Sequence, residues 1–262
     1  MLLAFDLDKT IVTIDHQLPL EIANAILDAK AAGHKVSILT GRPTVATTPF
    51  LNILGVSEYF STNHGVFVVG KAGEVLQHRL IESKSVKEVI NPYIDHDDLE
   101  FACIVEDTLY VKTPDDERWA WAHTLNRYVK PYQKDHELRA DKIVFVANGK
   151  RPKFLREIYD NNPGYVRYIW DNTYLEITSM EADKGSALRL IAEAQNIEPK
   201  DIIAFGDGPN DLSMLEYAGT GIAVGPYATE EMLAIAKEHI AAPEELGVAK
   251  WLKENLLNSE NN

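Results

Sequence analysis

The chain begins with a short apolar run, LLAF at residues 2–5, that leads directly into two acidic residues, Asp6 and Asp8. A continuous apolar run of this length is typical of a strand buried on both faces of a parallel sheet. The pattern recurs where the strand-like run DIIAF, at 201–205, leads into the acidic loop GDGPND at 206–211. Ligand sites of open α/β sheets lie beyond the carboxyl ends of the strands. The two runs therefore predict an α/β fold with an acidic site at one sheet edge.

Helical periodicity separates the strands in both end regions of the chain. Apolar residues at helical spacing between Pro19 and Gly33 predict a helix, and KVSILT at 35–40 predicts the next strand. The same alternation resumes after Asp183 and continues to about Leu257. Alternating strands and helices predict a Rossmann-like core with a parallel sheet.

The middle of the 262-residue chain has a different pattern. Its expected element order is αββαβαββ, with a helix over 115–129 and a tight polar turn at 171–173. Strands joined by short turns imply a largely antiparallel sheet with helices on one face. We therefore predict two domains: a core formed by 1–82 and 181–262, and an inserted α+β domain at 83–180.

Composition restricts the partners of such a protein. The 40 acidic residues outnumber the 26 Lys and Arg, giving a formal charge of -14 that disfavours a broad surface for nucleic acid. The longest stretch without a charged residue, 43–57, is shorter than the roughly 20 apolar residues of a membrane span. Cys103 has no cysteine partner, and Asp6 and Asp8 interrupt any signal-like apolar run. We expect a cytoplasmic monomer or homodimer that acts on small molecules.

The two acidic strand ends could share a metal ion. Asp6 and Asp8 are two residues apart, so in an extended strand both side chains point to one side. Close ionised carboxylates raise one another's pKa unless a cation such as Mg²⁺ neutralises them. Asp207 and Asp211 could complete an oxygen-rich site. A helix cap or a turn explains either acidic pair equally well when it is taken alone.

Further polar groups fall at other element ends. Thr40 ends a predicted strand and is followed by Gly41 and Arg42, while Lys184 opens a predicted helix. An ammonium group and a helix N-terminus both favour a bound phosphoryl group. Each residue alone fits an exposed cap or a solvated cation, but the whole set indicates phosphoryl chemistry.

Four segments of the chain resemble the consecutive motifs of the haloacid dehalogenase superfamily, and within it the Cof-type sugar-phosphatase-like hydrolases. They are DLDKT at 6–10, SILTGR at 37–42, DKGSAL at 183–188 and GDGPND at 206–211, in the family's order. The insert between the second and third motifs is similar to that family's α+β cap. The resemblance implies a Mg²⁺-dependent phosphatase that hydrolyses small phosphorylated metabolites such as sugar phosphates.

The resemblance also implies residue roles. Asp6 would attack phosphorus to form an aspartyl-phosphate, and Asp8 would protonate the leaving oxygen and later activate water. Mg²⁺ would bind the Asp6 side chain, the Asp8 backbone carbonyl and Asp207, with Asp211 in or near the outer shell. The phosphoryl oxygens would be held by Thr40, Gly41, Lys184 and Asn210.

Two segments depart from the family pattern. Lys9 follows the second aspartate where the family usually has Gly, and Asn63-His64-Gly65 stands where it usually has Asn-Gly-Ala. His64 fits either a structural loop position or a group that approaches the cleft.

The cap is expected to select the substrate by closing over the leaving group. Strand alternation places several side chains on polar faces, where they could contact substrate, and Arg42 is a further candidate. The cap candidates are Tyr110, Lys112, Arg167 and Glu176. The alternative is a solvated sheet face with the neighbouring aromatic residues Trp119, Trp121, Tyr168 and Trp170 packed as core.

Two other functions fit the same sequence. A phosphomutase of the phosphomannomutase type would return an isomeric phosphate, and a non-catalytic sensor with this fold would bind a phosphate ligand without turnover. Dehalogenase activity is disfavoured, because Asp8 supplies the leaving-group acid that phosphoesters need.

Overall fold

The computed structural model describes residues 1–124, 127–147, 152–170 and 172–257. The chain divides into two compact units. The core unit consists of Met1–His78 and Asp183–Asn262, and the insert unit of Arg79–Ala182. Within the described ranges, no helix combines the length and apolar character needed to cross a membrane.

The regular elements are numbered in chain order. The strands are β1 (Leu2–Phe5), β2 (Lys35–Ile38), β3 (Phe60–Thr62), β4 (Phe67–Val69), β5 (Val75–His78), β6 (Leu99–Val105), β7 (Thr108–Val111), β8 (Tyr128–Pro131), β9 (Lys142–Ala147), β10 (Val166–Trp170), β11 (Tyr174–Thr178), β12 (Ile202–Gly206), β13 (Thr220–Val224) and β14 (Glu238–Ile240). The α-helices are α1 (Leu20–Ala31), α2 (Thr44–Ile53), α3 (Ser83–Ile90), α4 (Ala120–Thr124), α5 (Pro152–Asn161), α6 (Lys184–Ala194), α7 (Leu212–Tyr217), α8 (Glu230–Ile235) and α9 (Gly247–Leu252).

The main sheet of the core unit is parallel, in the order β14-β13-β12-β1-β2. Every residue of β1 is buried, because its alternate side chains enter two different apolar clusters. Leu3 and Phe5 pack with residues of α1 and α9, while Leu2 and Ala4 pack with residues of α6. This burial on both faces is the physical reason for the continuous apolar run at the start of the chain.

A smaller antiparallel sheet, β3-β4-β5, follows α2 in the core unit. The turn at Lys71–Gly73 joins β4 to β5, which pair as an antiparallel hairpin. The three-residue strands β3 and β14 were not predicted, because segments this short have too little periodicity to be recognised.

The insert unit contains one sheet in the order β10-β11-β9-β6-β7-β8. All of its pairings are antiparallel except that of β7 with β8. Residues of α3 and α5 pack against Phe101 and Phe145 on one face. Trp119 and Ala122 pack with Ala102 on the other face. The expectation that the helices lie on one face therefore holds for α3 and α5 but not for α4.

The predicted helix over 115–129 is wrong in its second half. A 3₁₀ turn at Glu117–Trp119, capped by the Asp116 side chain, precedes the short helix α4. The chain then pairs as β8 with β7, and residues 125–126 lie outside the described residues. The aromatic and β-branched side chains of Tyr128 and Val129 suit a strand, and a free sheet edge overrides the helical pattern. Asp171, in the predicted turn at 171–173, also lies outside the described residues.

Candidate active site

The carboxyl ends of three neighbouring parallel strands, β12, β1 and β2, bring the first candidate residues together. The backbone N–H of Asp6 donates to the Phe205 carbonyl at 3.0 Å, which continues the β1–β12 pairing beyond the strand end. On the other side, Leu39 N–H donates to the Phe5 carbonyl at 2.9 Å. Asp6 and Asp207 therefore directly follow two adjacent strands, and Thr40 lies two residues beyond the end of the third.

Lys184 joins two of the acidic residues. Its Nζ lies 2.5 Å from Asp6 Oδ1 and 2.5 Å from Asp211 Oδ1, and the side chain is fully buried. Asp183 caps α6 by accepting hydrogen bonds from the N–H groups of Gly185 and Ser186, which places Lys184 in the first helical turn. Burial alone would lower the pKa of Lys184, but the carboxylates of Asp211 and Asp6 outweigh it and raise that pKa. The buried ammonium group therefore stays charged.

The loop after β12 is shaped around Asp211. Its Oδ2 accepts hydrogen bonds from the backbone N–H groups of Asp207, at 3.0 Å, and Gly208, at 3.1 Å. A Cβ atom on Gly206 would lie 2.4 Å from the Asp211 Cβ, so only glycine fits at that position. The Asp211 carboxylate thus holds the loop and contacts Lys184 at the same time.

Asp6, Asp207 and Asp211 form a buried group whose carboxylate oxygens lie within 4.8 Å of one another. Burial raises the pKa of Asp6 to about 7, with repulsion from Asp211 and Asp8 adding to it and Lys184 opposing it. Burial raises the pKa of Asp207 to about 8, again with repulsion from Asp6 and Asp211. When all three carboxylates are ionised, their negative charge exceeds the positive charge of the single ammonium group. Carboxylate oxygens are the preferred ligands of Mg²⁺, and this donor set fits that ion.

The side chain of Asp8 is held by Arg42. Arg42 Nε donates to Asp8 Oδ2 at 2.8 Å, and Nη2 contacts the other carboxylate oxygen, so the pair is bidentate. Burial alone would raise the pKa of Asp8, but the hydrogen bonds and charge of Arg42 outweigh it and lower that pKa. Asp8 is therefore ionised in this arrangement, and the guanidinium that we predicted as a substrate contact is already paired.

The other predicted phosphoryl-binding residues lie at the same edge of the parallel sheet. Thr40 is fully buried, and its Oγ1 accepts a hydrogen bond from the Arg42 N–H at 3.1 Å. Asn210 is buried, with its Nδ2 3.3 Å from His64 Nδ1. The Thr10 hydroxyl donates to Asp207 Oδ1 at 3.4 Å, a contact that sequence reasoning missed. The sequence signal that could have identified Thr10 is its place as the last residue of the DLDKT motif.

The four candidates in the insert unit have partners within that unit. Lys112 Nζ donates to the carbonyls of His96, at 2.6 Å, and Leu99, at 3.1 Å. The Arg167 guanidinium lies 4.2 Å from the centre of the Tyr159 ring and also donates to the Tyr159 carbonyl.

The pairing of the strands shows on which face of the sheet three of these candidates lie. Tyr110 and Arg167 pair across the sheet with Cys103 and Ile177, which lie on the face covered by α3 and α5. The expectation that these two side chains occupy a polar face is therefore wrong. Glu176 lies on the opposite face and accepts hydrogen bonds from Lys142 Nζ, at 2.7 Å, and Trp170 Nε1, at 3.1 Å.

Comparison with known proteins places this architecture in a family. The sequence model of the haloacid dehalogenase-like hydrolase family matches residues 3–252, and the chain belongs to that family. Phosphatase YwpJ of Bacillus subtilis is 27% identical, covering 96% of this chain and 98% of its own length. The 5-amino-6-(5-phospho-D-ribitylamino)uracil phosphatase YitU of the same organism is 25% identical, covering 97% and 96%.

A solved structure shows the same fold. A haloacid dehalogenase-like hydrolase from B. subtilis has a TM-score of 0.82 and 24% identity, over 97% of this chain and 99% of that one. Family, fold and relatives together define the chain as a phosphoric monoester hydrolase, and they confirm the family predicted from the four motifs.

Proposed function

We propose that this hydrolase is a Mg²⁺-dependent phosphatase of small phosphorylated metabolites such as sugar phosphates. The observation that carries the proposal is the buried cluster in which Lys184 bridges Asp6 and Asp211, beside Asp207. A nucleophilic carboxylate, a fixed cation and a metal-binding acidic group are the parts that phosphoryl transfer requires. The relative named for a phosphoribitylamino-uracil supports a small phosphorylated substrate.

The chemistry proceeds in two displacements on phosphorus. An Asp6 carboxylate oxygen forms a bond to phosphorus while the bond to the leaving oxygen breaks, and Asp8 gives that oxygen a proton. Water then attacks the aspartyl-phosphate, Asp8 accepts its proton, and inorganic phosphate leaves a free Asp6. Lys184, Thr40, Gly41 and Asn210 hold the phosphoryl oxygens during both steps.

The residues that would hold Mg²⁺ are Asp6 and Asp207, the backbone carbonyl of Asp8, and Asp211 in or near the outer shell. The ion supplies positive charge that offsets repulsion between the carboxylates and an anionic substrate. We also propose that the insert unit is the cap that selects the substrate.

The proposal is tested by assaying a panel of phosphorylated metabolites for inorganic phosphate, with Mg²⁺ and with EDTA. We expect phosphate release with Mg²⁺, loss of activity with EDTA, and recovery when Mg²⁺ is restored. An isomeric phosphate as the product would identify a phosphomutase instead. Binding without turnover across the panel would identify a sensor.

Mg²⁺ should stabilise this protein more as the pH rises. Asp6 and Asp207, with pKa values raised to about 7 and about 8, keep protons in the folded chain that the unfolded chain has already lost. The contribution of these two groups to the free energy of unfolding of the metal-free protein therefore falls as the pH rises from about 4 to about 8. Mg²⁺ binds ionised carboxylates and competes with those protons at the lower pH.

Thermal midpoints measured with and without Mg²⁺, at about pH 6 and about pH 8.5, test this dependence. The shift produced by Mg²⁺ should be larger at the higher pH, and it should shrink in an Asp207→Asn variant. An equal shift at both pH values would contradict the assignment of these carboxylates to the metal.

Arg42→Gln should move the alkaline limb of the kcat/KM profile to higher pH. Asp8 must carry a proton to protonate the leaving oxygen, and Arg42 holds the pKa of Asp8 below its ordinary value. Without the guanidinium, burial raises that pKa, so the protonated form persists at higher pH. The absolute rate should fall, because the bidentate pair no longer orients the carboxylate.

The measurement is kcat/KM against pH with a sugar phosphate. Arg42→Lys should shift the limb less, because it keeps the charge. Arg139→Gln, which removes an exposed guanidinium paired with Glu82, is the matched control. If the alkaline limb does not move in Arg42→Gln, the Arg42–Asp8 pair does not set the protonation of Asp8.

A further inference from the structure

His64 is buried in the core unit at the point where this chain departs from its family's usual Asn-Gly-Ala. It lies in the 3₁₀ turn Asn63–Gly65, directly after β3, and its side chain is 2% exposed. A histidine that is only a surface loop residue would be solvated, so the contacts of this ring need a different explanation.

The residue contacts three of the proposed phosphoryl-binding residues. Its backbone N–H donates to the Thr40 carbonyl at 3.0 Å. Its ring lies so close to Gly41 that a Cβ atom there would be 2.2 Å from Cε1 and 2.6 Å from Nε2. Its Nδ1 lies 3.3 Å from Asn210 Nδ2, within reach of a hydrogen bond that the amide donates. The imidazole thus links the strand end at Thr40 with the separate loop that carries Asn210.

The backbone conformation at this turn is one that residues other than glycine adopt uncommonly. Asn63 has a φ of 50° and His64 a φ of 59°, both in the left-handed region that glycine adopts most readily. Glycine at position 64, as in the family pattern, would relieve the conformation at once. Strain of this kind persists only where the surroundings hold it, and it is concentrated at functional sites.

The following residue ties the turn to the helix that carries Lys184. Gly65 has a φ of 98°, and a Cβ atom there would lie 2.3 Å from the Asp183 carbonyl oxygen. The turn therefore packs directly against the start of α6. This close backbone contact sets the position of the turn relative to Lys184, the remaining phosphoryl-binding residue.

We propose that His64 is a positioning residue for the phosphoryl-binding group, an inference that rests on the phosphatase function proposed above. The ring accepts the Asn210 amide hydrogen at Nδ1, which places its own proton on Nε2 and fixes the orientation of the amide. The same ring supports the backbone of Gly41 from one side. Thr40, Gly41 and Asn210 are thereby held as one unit, although they come from two distant parts of the chain.

Three variants separate positioning from folding. His64→Gly restores the family residue and relieves the backbone, which offsets part of the cost of emptying the buried ring site, so the variant should still fold and unfold in a single transition. Because the amide and the Gly41 backbone lose their support, kcat/KM should fall about tenfold or more, with weaker inhibition by inorganic phosphate. His64→Asn should recover much of this loss, because its Oδ1 can accept from Asn210 and asparagine tolerates the left-handed region. His64→Ala keeps the backbone strain but has no acceptor for the Asn210 amide, so it should not recover the lost kcat/KM.

Calorimetric titration with inorganic phosphate in Mg²⁺ buffer gives a readout independent of turnover. Weaker phosphate binding by His64→Gly, with recovery in His64→Asn, supports the positioning role. If the parent protein binds phosphate but hydrolyses no ester, the phosphatase proposal fails while the positioning role is still measured. Parent-like phosphate binding, kcat and KM in a folded His64→Gly variant would overturn the inference, as would equal losses in all three variants.

Discussion

Asp6→Asn is expected to abolish phosphatase turnover, with kcat lower by roughly 10⁴-fold or more. The substitution removes the carboxylate oxygen that forms the bond to phosphorus, while it keeps the size of the side chain and its place beside Lys184. The Asp6 side chain is almost fully buried at the end of β1, so its neighbours hold the replacement in the same position. Loss of activity should therefore not be accompanied by loss of fold.

The stability of this variant gives a second readout. Asp6 carries a pKa raised to about 7 by burial, and it repels Asp207 and Asp211. A neutral amide removes that repulsion, so the metal-free variant should unfold at the same temperature as the parent or higher above about pH 7. Asp201→Asn makes the same chemical change at an exposed position just before β12 and should leave both activity and stability unchanged. Parent-like turnover by Asp6→Asn at full metal occupancy would exclude Asp6 as the nucleophile.

Lys184→Met is expected to reduce both stability and activity. Methionine nearly matches the volume of lysine but leaves Asp6 and Asp211 without their shared cation in a fully buried position. Removing one partner of a buried ion pair typically costs about 3–5 kcal/mol. The loss should be smaller at low pH, because protonated carboxylates no longer need the cation. Activity should fall by about 10²-fold or more, because a fixed charge on the phosphoryl oxygens is lost.

Denaturant unfolding at about pH 5.5 and about pH 8, without metal, measures the stability effect. Lys30→Met is the matched control, since Lys30 is a partly buried lysine of the core unit whose Nζ contacts backbone carbonyls rather than carboxylates. Mg²⁺ should restore part of the stability of Lys184→Met by neutralising the acidic cluster. Equal losses at both pH values would show that the carboxylates are not the groups that Lys184 stabilises.

Local sequence signals predicted the structure correctly where it depends on a single strand or helix. The apolar run of β1 is buried on both faces, and the Asp183 cap starts α6 where the motif indicated. The same signals failed at 128–131, where an available sheet edge made a strand of residues that the local pattern assigned to a helix. They also failed for Tyr110, because strand alternation identifies two faces but not which face the helices cover.

The sequence by itself determined which residues end the strands of the core and carry carboxylate, hydroxyl and ammonium groups, because backbone preferences and burial periodicity are local properties. Only the tertiary structure decided how those groups pair. Lys184 meets Asp6, 178 positions away, and Arg42 takes the Asp8 side chain, because strand order brings these ends side by side. The contact between His64 and Asn210 spans 146 positions. Side-chain partners, and the pKa values that depend on them, follow from distances that exist only in the folded chain.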